Sequence, residues 1–202
     1  MPKVITISGA VEGLIDEAVL RRLVLWTGAI PGPIHGKHGK SFLRKQMDAY
    51  NLAAQSLPWF VLVDLDHDAD CPPTFLSLWL PEPAPRMCFR VVVREIEAWL
   101  LADRERLAQF LNVRYSLIPQ NPENIHDPKR ALVEIARRSR RKDIRADMTP
   151  SPRSYREVGP AFNSRMIQFV IDERDGWRPE VAAQSSESLR RCLRGLERLA
   201  VG

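Results

Sequence analysis

The sequence predicts an α/β fold: a parallel sheet of about four strands flanked by helices, with a helical extension on the C-terminal side. Three observations predict it. Trp59-Phe-Val-Leu-Val63 is apolar at every position and ends in Asp64; a strand apolar on both faces belongs inside a parallel sheet covered by helices. Short β-branched runs at Lys3–Ser8 and Arg86–Val93 alternate with stretches of helical period. After Asp103 the pattern turns helical and irregular. The expected division is a core over residues 1–103 and a basic helical extension over 104–202 packed on it.

The elements follow in order. Lys3–Ser8 reads as the first strand, Gly9–Gly13 as a loop, and Ile15, Val19, Leu23 and Trp26 as the buried stripe of the first helix. Gly28 to Gly39 is rich in glycine and proline and reads as a loop around at most a very short strand. Its tail, Gly36-Lys-His-Gly-Lys-Ser41, fails as a phosphate-binding loop: the motif needs glycine five residues before Gly39, and Ile34 stands there. A helix follows over Ser41–Gln55, then the strand at 59–64. Phe75–Leu80 is a short helix stopped by prolines, and Arg86–Val93 a strand running into a helix with Ile96, Trp99 and Leu100 inside. Beyond it lie a short helix at Leu107–Leu111, a turn-rich stretch, and a helix begun by Asp127 as cap and Pro128 in first position. Arg145–Tyr155 reads as a loop. Val158–Phe169 and Leu189–Leu199 close the chain as helices.

Length and composition bound the function. With 202 residues, 45% hydrophobic and 27% charged, the chain can bury a full core. No apolar run approaches the ~18 residues of a membrane span, and no secretory signal is expected. Cys71, Cys88 and Cys192 are odd in number and far apart, unlike a disulfide framework or a zinc site; they read as small buried hydrophobes in a reducing, cytoplasmic setting. The net charge of +5 is concentrated: Lys129 to Arg145 holds eight basic residues against Glu134 and Asp143. Such a stripe is the footprint expected for a polyanion.

The chemistry lies in acids at strand ends. Asp64, Asp66, Asp68 and Asp70 alternate after the apolar strand. If the strand continues through Leu65, Asp64 and Asp66 share a face, roughly 7 Å apart at the backbone, and can share a hard cation. Glu12 stands at the first strand–helix junction, Glu95 and Glu97 at a third. In a parallel sheet those ends would converge on one edge, where ligands bind. Gathered carboxylates repel, and a divalent cation relieves them. Glu12, and Glu95 with Glu97, taken alone are ordinary first-turn acids; the accumulation of carboxylates at three strand ends is what points to a site. The four histidines show no metal-pair spacing.

Val11-Glu12-Gly13, followed by the ordered Asp64-x-Asp66, resembles the TOPRIM fold, a Rossmann-like arrangement shared by topoisomerases, bacterial primases and OLD-type nucleases. Arg94-Glu-Ile-Glu-Ala-Trp-Leu-Leu-Ala-Asp103 and Asn121-Pro-Glu-Asn-Ile125 with Pro128-Lys-Arg130 resemble a bacterial TOPRIM-like family similar to the nuclease half of OLD-type systems, found beside ATPases in antiphage defence.

The resemblance implies a nuclease that hydrolyses phosphodiester bonds with Mg²⁺ or Mn²⁺. Glu12 would be metal ligand or general acid/base, Asp64 and Asp66 the metal-binding pair, and Glu95 and Glu97 the acids for a second metal. Lys129 would neutralise the scissile phosphate. The third acid of the acidic motif stays open between Asp68 and Asp70. Lys37, Lys40, Lys45, Arg130, Arg137 and Arg141 would hold nucleic acid, DNA in preference to RNA, and a partner ATPase of ABC or AAA type is expected, with an oligomer allowed. The chain carries no separate tyrosine-bearing domain, which argues against strand passage. The alternative is a non-catalytic TOPRIM-shaped subunit that binds an ATPase partner or nucleic acid.

Overall fold

A computed structural model describes residues 4–69 and 71–201. The chain is α/β; its described residues form a four-stranded sheet, all parallel, in the order β2-β1-β3-β4. These are β1 (Thr6–Val11), β2 (Ile30–Gly36), β3 (Trp59–Asp64) and β4 (Met87–Val92). Connecting them are α1 (Leu14–Trp26), α2 (Lys40–Ala53) and α3 (Pro72–Trp79). No helix among the described residues is long and apolar enough to cross a membrane.

The alternation expected of β3 holds. Trp59, Val61 and Val63 pack with Leu43, Met47 and Tyr50 of α2 and Phe75 of α3, together with Phe89 and Val91 of β4. Register places Gly9, Phe60 and Cys88 side by side on the opposite face, where Leu20 of α1 lies against Gly9. Both faces of the sheet are therefore covered by helices.

Two strand boundaries differ from expectation. The first strand begins at Thr6 and runs through Gly9 to Val11, so most of the expected loop is strand. Residues 30–36 form a full strand despite Pro31 and Pro33. It is an edge strand, where a missing N–H costs no ladder bond on the open side.

The chain separates into two compact units: residues up to Val93 together with those from Ser188 onward, and Arg94–Glu187. The break thus falls before Asp103, and α10 (Glu187–Val201, the tenth helix) belongs from Ser188 on to the first unit. The second unit holds α4 (Ile96–Ala102), α5 (Arg104–Leu111), α6 (Pro128–Arg137), α7 (Lys142–Met148), α8 (Phe162–Ile171) and α9 (Pro179–Ala182). Helix α7 occupies the start of the expected loop: Ile144 and Met148, four apart, are both buried. Asp103 explains why the boundary is not at its own position. It is fully buried and bound by the Arg178 guanidinium at 2.7 and 2.9 Å and by the Arg178 N–H at 3.0 Å, an ion pair inside the second unit. Cys88 and Cys192 are buried as expected, whereas Cys71 is exposed.

Candidate functional site

Three strand ends of the first unit form the candidate site. β1 ends at Val11, and Glu12 follows. Its Oε1 accepts a hydrogen bond from the backbone N–H of Asp64, at the end of β3, at 2.8 Å. The turn after β2 closes on the same place: the Lys37 and Gly39 N–H groups donate to the Val11 and Glu12 carbonyls at 2.9 and 3.1 Å. Gly36 makes this turn possible, since its φ is +87° and a Cβ would lie 2.1 Å from the Val11 oxygen. Helix α2 starts immediately, at Lys40.

After β3 the chain does not continue as strand. The Leu65 N–H still donates to Val92 O at 2.8 Å, but Asp66 adopts a left-handed φ of +49°, and the Asp68 N–H donates back to Leu65 O at 3.2 Å. Strand alternation therefore does not place Asp64 and Asp66 on one face, as expected from the sequence; a turn orients Asp66 instead. Asp70 lies outside the described residues.

The charge balance turns on Lys40. Its Nζ contacts Asp66 Oδ2 at 2.5 Å and Asp68 Oδ2 at 2.7 Å. Burial opposes the ammonium charge, but the two aspartates and Glu12 together push its pKa up. Glu12 is half-buried, and burial pushes its carboxyl pKa up to about 7; the Asp64 N–H and Lys40 oppose the rise, and Asp16 and Asp66 add to it. A carboxyl poised near neutrality can take up and release a proton at physiological pH.

Lys40, expected to hold nucleic acid, is thus bound to the acids. Lys37 is also committed, to Glu17 at 3.0 Å. Lys45 is exposed on α2. The role of Lys40 was hidden because its partners lie 26 and 28 residues away; its one local signal was its position at the start of a helix after a glycine turn.

Glu95, Glu97 and Lys129 meet within the second unit. Glu95 accepts from the Lys129 backbone N–H at 3.1 Å and from its Nζ at 3.3 Å, and Nζ lies 3.6 Å from Glu97, which is 1% exposed. Asp127 caps the Arg130 N–H at 2.8 Å, and Pro128 needs no acceptor, so two carboxylates satisfy the open N-terminus of α6. Lys129, expected to neutralise a phosphate, here neutralises two glutamates. Glu123, from the Asn121–Asn124 stretch, accepts from the Ser186 hydroxyl at 2.6 Å and the Glu187 N–H at 3.3 Å, which fixes the start of α10.

The basic stripe is partly spent internally. Arg141 forms a close ion pair with Asp143, Arg137 lies 3.6 Å from Glu134, and Arg145 donates to Ser139 O at 2.5 Å. Arg130, Arg138, Arg140 and Lys142 are exposed and have no ion pair among the described residues.

The carboxylate donors at Glu12, Asp64, Asp66 and Asp68 suit a hard cation in chemistry. Among the described residues no three such side chains are drawn together as a ready metal cage; the positive charge in contact with Asp66 and Asp68 comes from Lys40. Comparison with family models, curated proteins and solved structures finds no match.

Proposed function

We infer that the chain is a divalent-metal-dependent nuclease of TOPRIM type. The observation that carries the reading is the contact of Glu12 with the end of β3, since it joins residues 52 apart in sequence at the carboxyl edge of a parallel sheet. Asp64, Asp66 and Asp68 would hold Mg²⁺ or Mn²⁺. A bound divalent cation supplies Lewis acidity at a phosphoryl oxygen and a lower pKa for water. Glu12, with a pKa near 7, would accept a proton from the attacking water, its orientation fixed by the Asp64 N–H. Lys40 would stay beside the aspartates or swing toward a substrate phosphate as they take other partners. The exposed cations Arg130, Arg138, Arg140 and Lys142 would hold phosphates, those of DNA in the first instance, and a bacterial defence setting with a partner ATPase follows from the resemblance alone.

Lys40 also favours a second reading. An internal ammonium that neutralises Asp66 and Asp68 is what a non-catalytic subunit of this shape would carry in place of a metal. One experiment separates the two. Purified chain is incubated with supercoiled plasmid and Mn²⁺. The enzymatic reading expects nicked or linear product from the wild type and none from Asp64→Asn or Glu12→Gln. Intact plasmid with the wild type, or equal cleavage by Asp64→Asn, removes it and leaves the binding subunit.

A further inference from the structure

The second unit carries a loop between α7 and α8 that the nuclease reading does not use. Its base is pinned. The Gly159 N–H donates to Met148 O at 3.0 Å and the Ala161 N–H to Asp147 O at 2.9 Å. A Cβ on Gly159 would run into the Asp147 carbonyl, so only glycine lets the two ends of the loop meet. Within the loop Pro150 and Pro152 fix φ. The Ser154 N–H donates to Ser151 O at 2.9 Å, and the Arg156 N–H to the Ser154 hydroxyl at 3.1 Å. This frame holds Arg153, Tyr155 and Arg156 out in solvent, the tyrosine at 106% exposure. Neither arginine has an ion pair among the described residues.

The loop and α7 border an open cavity of about 590 Å³, lined by Arg145 and Arg156, by Ser151 and Ser154, and by Pro150 and Pro152 among others. No acidic side chain among the described residues lines it. Asp143 and Asp147, the acids of α7, are taken by Arg141 and Arg165. Glu157 is the one acid between Thr149 and Pro160, and it is not part of the wall. Two guanidinium groups therefore border the cavity without a carboxylate to neutralise them, a setting that suits a phosphate. An exposed tyrosine by itself is ordinary on a protein surface. Tyr155 differs in its setting, between two residues of the cavity wall and flanked by Arg153 and Arg156.

We propose that this loop binds a single strand of nucleic acid, with a phosphate between Arg145 and Arg156 and an adjoining base stacked on Tyr155. Aromatic rings interleaved with cations are the surface on which unpaired bases stack, because every base offers a π-face and every linkage a negative charge. A duplex keeps its bases stacked on one another, and a side chain reaches their faces only by unstacking a step. The pinned base of the loop lowers the ordering cost of binding. The proposal rests on the nuclease reading only in taking nucleic acid as the ligand, and it adds the form of that ligand. It uses neither a divalent cation nor the acids at the strand ends.

Fluorescence anisotropy of the full chain in the presence of a chelator tests this, with labelled oligothymidylate, labelled oligouridylate and a labelled duplex of equal length as probes. The wild type should bind a single strand more tightly than the duplex, and the tighter of the two single strands names the sugar. Tyr155→Ala should weaken that strand about fivefold or more and the duplex little. Tyr155→Phe keeps the ring and should keep most of the affinity. Arg153→Gln combined with Arg156→Gln should weaken the single strand and flatten its salt dependence. All three side chains are exposed, so the circular dichroism should be that of the wild type throughout. No single-strand binding by the wild type overturns the proposal, as does equal affinity in Tyr155→Ala. Equal losses for duplex and single strand in Tyr155→Ala, or a Tyr155→Phe as weak as Tyr155→Ala, remove the stacked base and overturn it too. With divalent cations chelated, a chain that cleaves nothing can still meet the expectation. Conversely, plasmid cleavage in Mn²⁺ alongside a Tyr155→Ala of undiminished affinity overturns this proposal and leaves the nuclease standing.

Discussion

The carboxylate of Glu12 accepts the backbone N–H of Asp64 at 2.8 Å, and that bond holds an acid with a pKa of about 7 at the carboxyl edge of the sheet. The neutral acid is the form the folded chain favours. Its contribution to stability is fully present below pH about 4.5, the ordinary glutamate value, and is lost as pH rises through about 7. Glu12→Gln stays neutral and keeps an oxygen to accept the Asp64 N–H. It should therefore gain on the wild type between pH 5 and 8, by at most on the order of 2–3 kcal/mol. Urea unfolding at the two pH values measures this, and a stability difference that ignores pH contradicts the burial of Glu12.

Lys40 shares its charge between two exposed-edge aspartates while its own side chain is only 19% exposed. Lys40→Ala should cost about 0.5–1.5 kcal/mol. It should also leave Asp66 and Asp68 readier for another cation, so that Mg²⁺ raises the melting temperature of the variant more than that of the wild type. Melting curves with and without Mg²⁺ decide it; an identical Mg²⁺ response in both chains means that Lys40 and the metal do not compete.

The Asp103–Arg178 pair is bidentate and its carboxylate is fully buried. Removing Arg178 strands that carboxylate in a medium that cannot solvate it, whereas Arg178 is partly exposed and also pairs with Glu105. Arg178→Ala should lose about 3–5 kcal/mol in denaturant unfolding. Asp175→Ala, which removes a partner of Arg106 that is 77% exposed, should leave stability nearly unchanged. A small loss at Arg178 would mean that water reaches Asp103.

Nucleic-acid binding, if it uses the stripe, should depend on the exposed cations and not on those already paired. Replacing Arg130, Arg138 and Lys142 together by glutamate should weaken a labelled duplex strongly and flatten the salt dependence, by about one unit of slope for each phosphate no longer held. Arg141→Gln, which breaks a pair with Asp143, should change both little. Fluorescence anisotropy over a salt series gives both numbers.

The sheet was legible because β3 is apolar on both faces, a pattern that few other settings tolerate. The helices α1, α6 and α10 were legible from their periodic stripes. What was not legible depended on partners remote in sequence. Edge position excuses Pro31 and Pro33, but edge position is a property of the whole sheet. The turn at Asp66 broke the expected alternation because a left-handed φ at an aspartate has no signature beyond the residue type itself. The acids at positions 12 and 64 were singled out correctly as neighbours by their place at strand ends, whereas Lys37, Lys40 and Lys129 were read as phosphate contacts. Charge alone does not reveal whether a lysine faces solvent or a carboxylate from another element.

The return of residues 188–201 to the sheet-bearing unit makes the stretch 94–187 an insertion in the middle of another structure. Synthesis runs from one end, so the inserted helices emerge complete while the surrounding unit still lacks the segment that covers Arg90 and Cys88. During that interval one face of β4 is open to mispairing, and a nascent chain stalled before Ser188 should be held by chaperones rather than folded. Residues 188–201 therefore act as a latch, and closure of the first unit waits for their translation.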